Sequence, residues 1–434
     1  MVQSIAIVGL GYVGLPLAIT FIKKGIKVVG IDLDASKLES LRAGRSYLPD
    51  ISDETVNWAT SQQHLIVTSD YSAVRTTEAV IICVPTPLDQ NHNPDLHYLE
   101  QVGRSLSPQL VHGQLVVLES STYPGTTREV LMPILEREGR KVGKEIFLAY
   151  SPERIDPGNK QYPLEAIPKI ISGITEPCLQ HIHNLYALVF DKLIQVSSTE
   201  AAELSKLLEN SYRFINISFI NEFAMICARM NINVWEVIEA ARTKPYGYSA
   251  FYPGPGIGGH CIPVDPLYLQ WRSKQFGKTS RFIEFAQFIN QAMPRYILDQ
   301  VKACLSVASL AKINILVIGV AYKRDISDTR ESSAIEMLKL LLEEEAVVTY
   351  HDPHVAEVQI GGHAMTSVEL SENSLQAIDC VLLATNHTGL PIPFILDHAA
   401  LVFDTRNMTE GYTGNARIVR LGEGYQERKE ETAE

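Results

Sequence analysis

The sequence predicts an α/β fold in which two lobes built on parallel β-sheets are joined by a central domain of long helices. Three observations carry this prediction. Short apolar runs alternate with helical stretches in residues 1–198, a helical pattern fills residues 199–308, and the alternation returns in residues 309–425. We therefore expect three domains with these bounds. Residues 426–434 are charged and poor in apolar side chains, so we expect a disordered tail.

The composition limits the partners of the chain. Its 434 residues carry a formal net charge of -12, which argues against a nucleic-acid surface and against an anionic membrane. No apolar run reaches the roughly 18 residues of a membrane span, and the first strand begins too early for a signal peptide. We expect a cytoplasmic protein without nucleic-acid or membrane partners, in which a local site holds any phosphate-bearing ligand.

The first lobe opens with the strand–helix–strand unit of a Rossmann dinucleotide site. An apolar strand runs into G-x-G-x-x-G, a helical stretch follows, and a second strand ends at Asp32. The first glycine permits the tight turn, the second lets the backbone approach a pyrophosphate, and the third lets helix and strand pack closely. The helix N-terminus then faces the phosphates. The candidate cofactor contacts are Gly9, Gly11, Tyr12, Val13, Gly14 and Asp32.

The acid at the end of the second strand favours NAD over NADP. A carboxylate there accepts hydrogen bonds from a ribose diol and repels a 2′-phosphate, and no arginine follows Asp32 directly. The alternative is a glycine-rich turn without a ligand. Strand, helix, second strand and terminal acid occur together here, so we expect NAD as the cofactor.

The strands that follow end in small or polar residues, where parallel sheets bind their ligands. Serine and threonine at such positions are commonly turn residues or helix caps, so a functional and a structural role are both open. The residues concerned are Thr86, Ser121, Thr122 and Glu153.

The central helical pattern places Lys206 and Asn210 four residues apart, on one face of a helix. Most lysines are solvated, but the flanking Leu204, Leu207 and Leu208 indicate that this helix is well packed. Two long apolar helices in mid-chain suit a spine between two lobes, and we expect such a spine to form a homodimer.

The last lobe repeats the strand–loop–helix–strand pattern, but Gly319 stands without the other two fingerprint glycines. We therefore expect no second dinucleotide site there. Lys323, Arg324 and Arg330 follow its first strand and form a local positive spot that suits phosphates.

Cys261 lies in "GPGIGGHCIPVDP", residues 254–266, a loop whose backbone can approach a ligand closely. The other five cysteines are scattered, form no C-x-x-C pair and are interpreted as core residues. A thiol in such a loop suits oxidation of an aldehyde to an acid, because an aldehyde gives up hydride only after a nucleophile has made its carbon tetrahedral. The thiolate would form a thiohemiacetal, hydride loss would give a thioester, and water would hydrolyse it.

Polar residues already singled out suit the other tasks of this reaction. Lys206 and Asn210 suit the stabilisation of oxyanions. Asp265 and Glu153 suit the handling of protons and water.

These motifs together resemble those of the bacterial nucleotide-sugar 6-dehydrogenases, which act on UDP-glucose, UDP-N-acetylglucosamine or UDP-N-acetylmannosamine. The resemblance covers nearly the whole chain and rests on the segments GLGYVGLPLA, VPTP, ESSTYPGTT, SPERIDPG, KLLEN, YPGPGIGGHCIPVDP and GVAYKRDISDTRES. It implies a four-electron oxidation of a UDP-sugar C6 hydroxyl to a carboxylate with two NAD+, in the supply of surface polysaccharide synthesis.

The resemblance also implies roles for individual residues. The implied catalytic residues are Cys261 as nucleophile, Lys206 and Asn210 as oxyanion partners, Asp265 and Glu153 in proton transfer and hydrolysis, and Thr122 in positioning water. The implied cofactor contacts add Thr86, Ser121, Thr122 and Arg330. The implied substrate contacts are Glu153, Arg154, Lys206, Asn210, Lys323 and the loop from Tyr252 to Gly258, which would clamp the sugar diphosphate.

Two segments point to one branch of the family. SPERIDPG and YPGPGIGGHC resemble the UDP-N-acetylhexosamine enzymes, whereas UDP-glucose enzymes more often have N-P-E-F-L and G-G-S-C-F there. The expected substrate is therefore UDP-N-acetylglucosamine, with UDP-N-acetylmannosamine and UDP-glucose as alternatives. UDP-glucose enzymes also carry an arginine, lent by a neighbouring subunit, before the glycine loop, and Arg242 and Lys244 are both candidates for this role.

Two other functions stay open. A two-electron dehydrogenase of the β-hydroxyacid type also pairs a Rossmann lobe with a helical domain, but it needs neither Cys261 nor the third domain. An NAD-binding sensor would bind without turnover. A metal site at His260, Cys261 and Asp265 is not expected, because adjacent side chains point apart in most backbones and no fourth ligand is evident.

Overall fold

The computed structural model describes residues 2–48, 50–155 and 162–424. The predicted tail, residues 426–434, lies outside the described residues, as does the end of the segment SPERIDPG.

The first of two compact units comprises Met1–Asn210 and Val264–Thr279 and is built on an eight-stranded sheet. Its strands are β1 (Ser4–Val8), β2 (Lys27–Ile31), β3 (Leu65–Thr68), β4 (Ala79–Ile82), β5 (Leu115–Leu118), β6 (Phe147–Tyr150), β7 (Lys169–Gly173) and β8 (Leu193–Gln195). The order is β3-β2-β1-β4-β5-β6-β7-β8, and β6 and β7 pair antiparallel whereas the other neighbours pair parallel. Its first six strands follow the order of a Rossmann sheet.

The second unit comprises Ser211–Pro263 and Ser280–Glu434. Its strands are β9 (Asn314–Ile318), β10 (Val347–His351), β11 (Glu357–Ile360), β12 (His363–Thr366), β13 (Cys380–Leu383), β14 (Leu401–Asp404) and β15 (Arg417–Arg420). A parallel sheet has the order β10-β9-β13-β14-β15, and β11 and β12 form an antiparallel hairpin.

Helices alternate with these strands and fill the middle of the chain. They are α1 (Gly14–Lys23), α2 (Ala35–Arg42), α3 (Asp53–Ser61), α4 (His97–Leu106), α5 (Met132–Leu135), α6 (Glu176–Tyr186), α7 (Thr199–Met230), α8 (Val234–Arg242), α9 (Asp265–Gln275), α10 (Arg281–Leu305), α11 (Ser333–Glu343), α12 (Glu372–Gln376) and α13 (Ile392–His398). Within the described ranges, no helix combines the length and the apolar character needed to cross a membrane.

Each of the two large sheets buries both of its faces. In β1, Ile5 and Ile7 belong to one apolar cluster, whereas Ala6 and Val8 belong to another. Because successive side chains of a strand point to opposite faces, both faces of this sheet are covered. In β9, Ile315 and Val317 likewise pack into one cluster, and Leu316 and Ile318 pack into another. The predicted fold class, two Rossmann-like lobes with long helices between them in the chain, is confirmed.

Candidate active site

The glycine loop after β1 has the turn that the fingerprint predicts. Gly9 has a φ of +92°, and a Cβ atom on it would lie 2.7 Å from the carbonyl oxygen of Cys83. A Cβ on Gly14 would lie 1.9 Å from the carbonyl oxygen of Gly9, so only glycine lets α1 pack so closely. A Cβ on Gly11 would meet nothing within 4 Å among the described residues. The loop is therefore open at Gly11, where the fingerprint places a pyrophosphate.

Asp32 follows β2 with its carboxylate held beside the glycine loop. Its Oδ2 accepts a hydrogen bond from the Leu10 N–H at 2.8 Å, and its Oδ1 accepts one from the Asp34 N–H at 3.0 Å. The Lys37 ammonium lies 3.6 Å from Oδ2, and the Asp32 side chain is 11% exposed. Lys37 was not among the predicted residues, because its reach to Asp32 depends on the turn before α2. The open loop, the helix N-terminus and the carboxylate fit NAD: Gly11 would hold the pyrophosphate and Asp32 the ribose.

The loops after β4 and β5 are tied to each other and to α9. The Thr86 hydroxyl donates to the carbonyl oxygen of Ser121 at 2.6 Å, and the Tyr268 hydroxyl donates to the carbonyl oxygen of Thr86. Thr122 is fully buried, and its hydroxyl donates to the hydroxyl of Thr126 at 2.6 Å. These contacts hold the three predicted strand-end residues in fixed positions. Tyr268 escaped prediction because it lies far along the chain, on α9.

Glu203 of α7 organises the segment after Thr122. Its Oε2 accepts from the Gly125 N–H at 2.6 Å, and its Oε1 accepts from the N–H and the hydroxyl of Thr127 at 2.9 and 2.7 Å. Burial raises the pKa of Glu203 to about 7, although these hydrogen bonds oppose the shift. Glu203 was not predicted, because its neighbours in sequence give no sign that it faces a loop some 75 residues earlier.

A buried cluster of two carboxylates, a lysine and an amide joins the end of β6, α7 and the start of α9. The Lys206 ammonium lies 3.6 Å from Oε2 of Glu153, and Asn210 Nδ2 donates to Oδ2 of Asp265 at 2.6 Å. All four side chains are buried. The helical spacing predicted that Lys206 and Asn210 share a face, and the structure brings each of them to a predicted carboxylate.

The argument for the burial of Lys206 from its flanking leucines was wrong. Leu207 is buried, but Leu204 and Leu208 are 43% and 66% exposed. These two point to another face of α7, and the Lys206 side chain is buried towards Glu153 instead.

The two carboxylates have raised pKa values because they are buried. For Glu153, burial is opposed first by the positive charge of Lys206 and then by that of Lys169. For Asp265, burial raises the pKa to about 6 against Lys206 and the hydrogen bond from Asn210. Among the described residues, Oε1 of Glu153 is buried without a hydrogen-bond partner. Asp265 can therefore exchange a proton near pH 6, and this oxygen of Glu153 is available to a ligand or water.

Arg154, a predicted substrate contact, is held by protein groups. Its guanidinium pairs with Glu209 and donates to the carbonyl oxygen of Pro168 at 2.7 Å. A substrate role for Arg154 stays a prediction.

The glycine loop that carries Cys261 belongs to the second unit and packs closely on it. A Cβ on Gly258 would lie 2.6 Å from the carbonyl oxygen of Glu331 and 2.7 Å from Cβ of Tyr322. The Gly259 N–H donates to the carbonyl oxygen of Arg330 at 3.1 Å. Glycine is thus needed where this loop touches the segment after β9. The Cys261 side chain is half-buried.

Arg330 supports the residue next to the cysteine. Its guanidinium donates to Asp328 at 2.5 and 2.9 Å and contacts Nδ1 of His260 at 3.1 Å. Arg324 likewise lies 3.3 Å from Asp325. The positive spot predicted after β9 is therefore partly neutralised by neighbouring aspartates, and Lys323, five residues after β9, is half-buried.

A cavity of about 360 Å³ lies in the second unit, beyond the carboxyl ends of β13 and β14. The rings of Trp235 and Tyr252 stack there at 6.2 Å and 15°. Arg406 follows β14 and donates to the carbonyl oxygen of Ala384 at 3.2 Å, and burial lowers its pKa to about 10. The lining residues are Trp235, Glu239, Tyr252, Pro253, Asn386, Arg406, Asn407 and Glu410. Stacked aromatics and an arginine suit a flat base and an anionic phosphate.

Tyr252 was predicted to contact substrate, whereas Trp235 and Arg406 were not. Arg406 lies two residues after a strand of a parallel sheet, and this position is the signal that was overlooked. Between the two candidates before the glycine loop, Arg242 contacts the Tyr252 hydroxyl at 3.3 Å, and Lys244 lies over the ring of Tyr246 at 5.1 Å.

The fold and the site define a dehydrogenase that uses NAD. Three family domains match the chain in order: the NAD-binding domain of the UDP-glucose/GDP-mannose dehydrogenase family at residues 3–190, the central domain at 200–292 and the UDP-binding domain at 316–411. The chain belongs to this family, and it is an NAD-dependent UDP-sugar dehydrogenase.

Relatives match almost end to end. The UDP-N-acetyl-D-mannosamine dehydrogenase of Yersinia pestis is 33% identical over 404 residues, 89% of this chain and 94% of the relative. The NDP-N-acetyl-D-galactosaminuronic acid dehydrogenase of Ralstonia nicotianae is 34% identical over 421 residues, 94% of this chain and 96% of the relative. The structure of a UDP-D-ManNAc dehydrogenase from Pyrococcus horikoshii matches with a TM-score of 0.86 at 31% identity, over 97% of this chain and 99% of that one.

Proposed function

We propose that the enzyme oxidises the C6 hydroxyl of a UDP-N-acetylhexosamine to a carboxylate, with two NAD+ per sugar. The observation that carries this proposal is the buried cluster of Glu153, Lys206, Asn210 and Asp265. It provides two buried carboxylates with raised pKa values, that of Asp265 at about 6, beside a cation and an amide donor. Cys261, four residues before Asp265, supplies the thiol that a simple alcohol oxidation would not need.

NAD+, when bound, supplies the hydride acceptor for both oxidations. In the first, a carboxylate of the cluster takes the hydroxyl proton as C6 becomes an aldehyde. The Cys261 thiolate then adds to the aldehyde carbon, and Lys206 and Asn210 stabilise the oxyanion of the thiohemiacetal. Loss of a second hydride from C6 leaves a thioester. Glu153 takes a proton from the attacking water, the C–S bond breaks, and Cys261 leaves as a thiolate.

Two NADH per sugar separate this function from a two-electron dehydrogenase and from an NAD-binding sensor. We expect a uronic acid and two NADH for each sugar consumed, measured by absorbance together with mass spectrometry of the product. One NADH per sugar, or binding without NADH, would contradict the proposal.

The sugar is proposed as a class. The relatives described above are named as dehydrogenases of UDP-N-acetyl-D-mannosamine and of NDP-N-acetyl-D-galactosaminuronic acid, and both names contain an N-acetylated hexosamine unit, which supports an N-acetylhexosamine. UDP-N-acetylglucosamine remains our prediction from the glycine-loop and SPERIDPG segments, and UDP-N-acetylmannosamine is the second candidate, supported by the relatives' names. Comparing kcat/KM for these two sugars, UDP-N-acetylgalactosamine and UDP-glucose tests both levels. A higher value for UDP-glucose would overturn the class, and a higher value for another N-acetylhexosamine would overturn only the epimer.

We infer that the 360 Å³ cavity receives the nucleotide of the substrate. The base stacks with Trp235 and Tyr252, and Arg406 pairs with phosphate. Arg406→Lys keeps the charge but loses the bidentate fork, so we expect UDP affinity to fall about tenfold while NAD+ affinity is unchanged. Calorimetry with UDP and with NAD+ measures the two separately, and an unchanged UDP affinity would count against the assignment.

We infer a homodimer from an exposed aromatic face on α10. Phe282, Phe285 and Phe288 are 75%, 59% and 64% exposed, an unusual cost for a surface without a partner. We expect Phe285→Glu to shift the mass measured by light scattering to that of a monomer. Val347→Glu, an exposed residue on β10, is the matched control and should leave the mass unchanged. The cytoplasmic location and the role in polysaccharide synthesis stay predictions.

A further inference from the structure

A second buried ion pair lies behind Glu153 in the first unit. The Lys169 ammonium of β7 lies 2.8 Å from Oε2 of Glu119, and both side chains are at least 95% buried. Tyr186 donates its hydroxyl to the other oxygen of Glu119. The rings of Tyr186 and Phe190 lie 5.7 and 5.4 Å from the ammonium. A pair so enclosed is costly to assemble, and replacing it by apolar groups is often neutral or stabilising in other proteins. Its presence therefore asks for a role beyond stability.

The pair ties together the two segments that carry predicted catalytic residues. Glu119 directly follows β5, three residues before Thr122. Lys169 also donates to the carbonyl oxygen of Pro152 at 3.2 Å, and Pro152 directly precedes Glu153. β7 is the strand that pairs antiparallel with β6, which brings Lys169 under the end of β6. The Lys169 ammonium thus holds the peptide that directly precedes Glu153.

The pair also completes the charge around Glu153. Lys206 and Lys169 favour its carboxylate form, and Glu119 opposes it. The negative charge of Glu153 in turn contributes to raising the pKa values of Asp265, Tyr150 and Cys83. Without Lys169, the carboxylates of Glu153 and Asp265 would have Lys206 as their nearby cation, and the unpaired negative charge of Glu119 would further disfavour ionised Glu153.

We propose that Lys169, paired with Glu119, is a positioning residue for Glu153: it fixes the peptide before Glu153 and supplies the second positive charge of the buried cluster. This inference rests on the proposed function of Glu153 as the base of thioester hydrolysis. Lys169 itself contacts neither substrate nor cofactor in this proposal.

Opposite charge changes give the proposal its test. Lys169→Met removes a cation and should move the acid limb of thioester hydrolysis up by about one pH unit, an approximately tenfold loss of rate on the acid side. Glu119→Gln removes an anion and should move the same limb down. Lys169→Arg keeps the charge and should remain within about threefold of wild type. Single-turnover quenching with intact-protein mass spectrometry follows the acyl-enzyme, and KM for NAD+ should change less than twofold in all three variants.

A purely structural role predicts a different pattern. If the pair only stabilises the fold, Lys169→Met and Glu119→Gln should both react more slowly and melt at lower temperatures, with the acid limb of the pH profile unchanged. That result would overturn the proposal. If Lys169→Met does not fold, Glu119→Gln carries the same test with the opposite sign.

The test also separates this inference from the proposed function. Infrared difference spectra, with Glu153→Gln subtracted, report the ionisation of Glu153 without turnover. If wild type forms no acyl-enzyme, the proposed function fails. Opposite shifts, in the two variants, of the pH at which the Glu153 band titrates would still support the positioning role of Lys169. If wild type makes two NADH per sugar and the titration pH of the Glu153 band is unchanged in both variants, the proposed function stands and the positioning role of Lys169 is wrong.

Discussion

The two large sheets each have an aspartate after the strand that pairs with their first strand, but the surroundings of the two aspartates differ. Asp32 follows β2, and Asp352 follows β10, the strand that pairs with the first strand of its sheet. Asp32 keeps 11% of its side chain exposed beside an open loop. Oδ2 of Asp352 accepts from the N–H groups of Val320 and Ala321 at 2.7 and 3.1 Å and from Nε2 of His387 at 3.1 Å, and its side chain is fully buried. The Asp32 carboxylate keeps exposed surface, whereas the Asp352 carboxylate is fully bonded by its own surroundings.

The glycines show the same division. Gly9 and Gly319 both have positive φ, +92° and +85°, and a Cβ on either would lie within 2.7 Å of a carbonyl oxygen after the neighbouring strand. This turn is therefore a requirement of the fold. The positions that correspond to Gly11 and Gly14 hold Ala321 and Arg324 in the second sheet. The two loops thus share the first glycine and differ in the later glycines and in the exposure of the aspartate, so the first glycine alone does not indicate a cofactor site.

A cluster in the second lobe resembles a metal site but is already used internally. Asp325, His354 and His387 bring possible ligand atoms within 4.8 Å of one another. However, Nδ1 of His387 accepts the Asp325 N–H at 3.0 Å while Nε2 faces Asp352. Both ring nitrogens are therefore occupied, and His387 braces the loop after β9.

The largest expected effect tests whether the second unit, which carries Cys261, contributes to the chemistry. Cys261→Ser should lower steady-state turnover at least about 10³-fold, because a serine hydroxyl is almost un-ionised at neutral pH. Affinity for UDP and NAD+ should be kept, because the change is nearly isosteric. Calorimetry provides the control. A Cys261→Ala enzyme that still makes two NADH per sugar at near wild-type rate would falsify the covalent role.

Replacing the ligand-facing aspartate should affect the cofactor and spare the fold. Asp32→Asn should lower kcat/KM for NAD+ about tenfold, since a hydrogen bond to a charged group contributes about 1.5 kcal/mol or more. The preference for NAD+ over NADP+ should narrow, because the negative charge that repels a 2′-phosphate is gone. Equal kcat/KM for the two cofactors in wild type would show that Asp32 does not select.

The same substitution at Asp352, in the second sheet, should lower stability and spare cofactor binding. Asp352→Asn places an amide N–H₂ against backbone N–H donors that now meet carboxylate oxygens, so we expect a loss of about 1–3 kcal/mol in unfolding free energy. The affinity for NAD+ should be unchanged. Chemical denaturation of both variants checks the pair. If Asp32→Asn is the more destabilised, the proposed division of roles between the two aspartates is wrong.

Residues whose partners are near in sequence were predictable, and those with distant partners were not. Gly9, Gly11, Gly14 and Asp32 form one contiguous unit, and the spacing of Lys206 and Asn210 follows from the helix. The partners of the remaining residues depend on how the chain closes. Lys169 meets Glu119 across 50 residues, and Tyr268 meets Thr86 across 182. A single sequence contains no local pattern for such pairs, and they appear only when the strand order is known.

The smallest expected effect concerns pH. As pH rises, the contribution of Asp265 to stability should fall while turnover rises. Burial raises the pKa of Asp265 to about 6, above its ordinary value of 3.8. The folded state therefore binds the Asp265 proton more tightly, so this group's contribution to stability falls as pH rises from about 4 to about 6. Turnover needs the ionised base and should rise over the same interval. Asp265→Asn cannot titrate, so its melting temperature should depend less on pH between 4 and 6 than that of wild type. Melting curves of the two proteins at matched pH values decide this, and identical pH dependences would show that Asp265 does not titrate in that range.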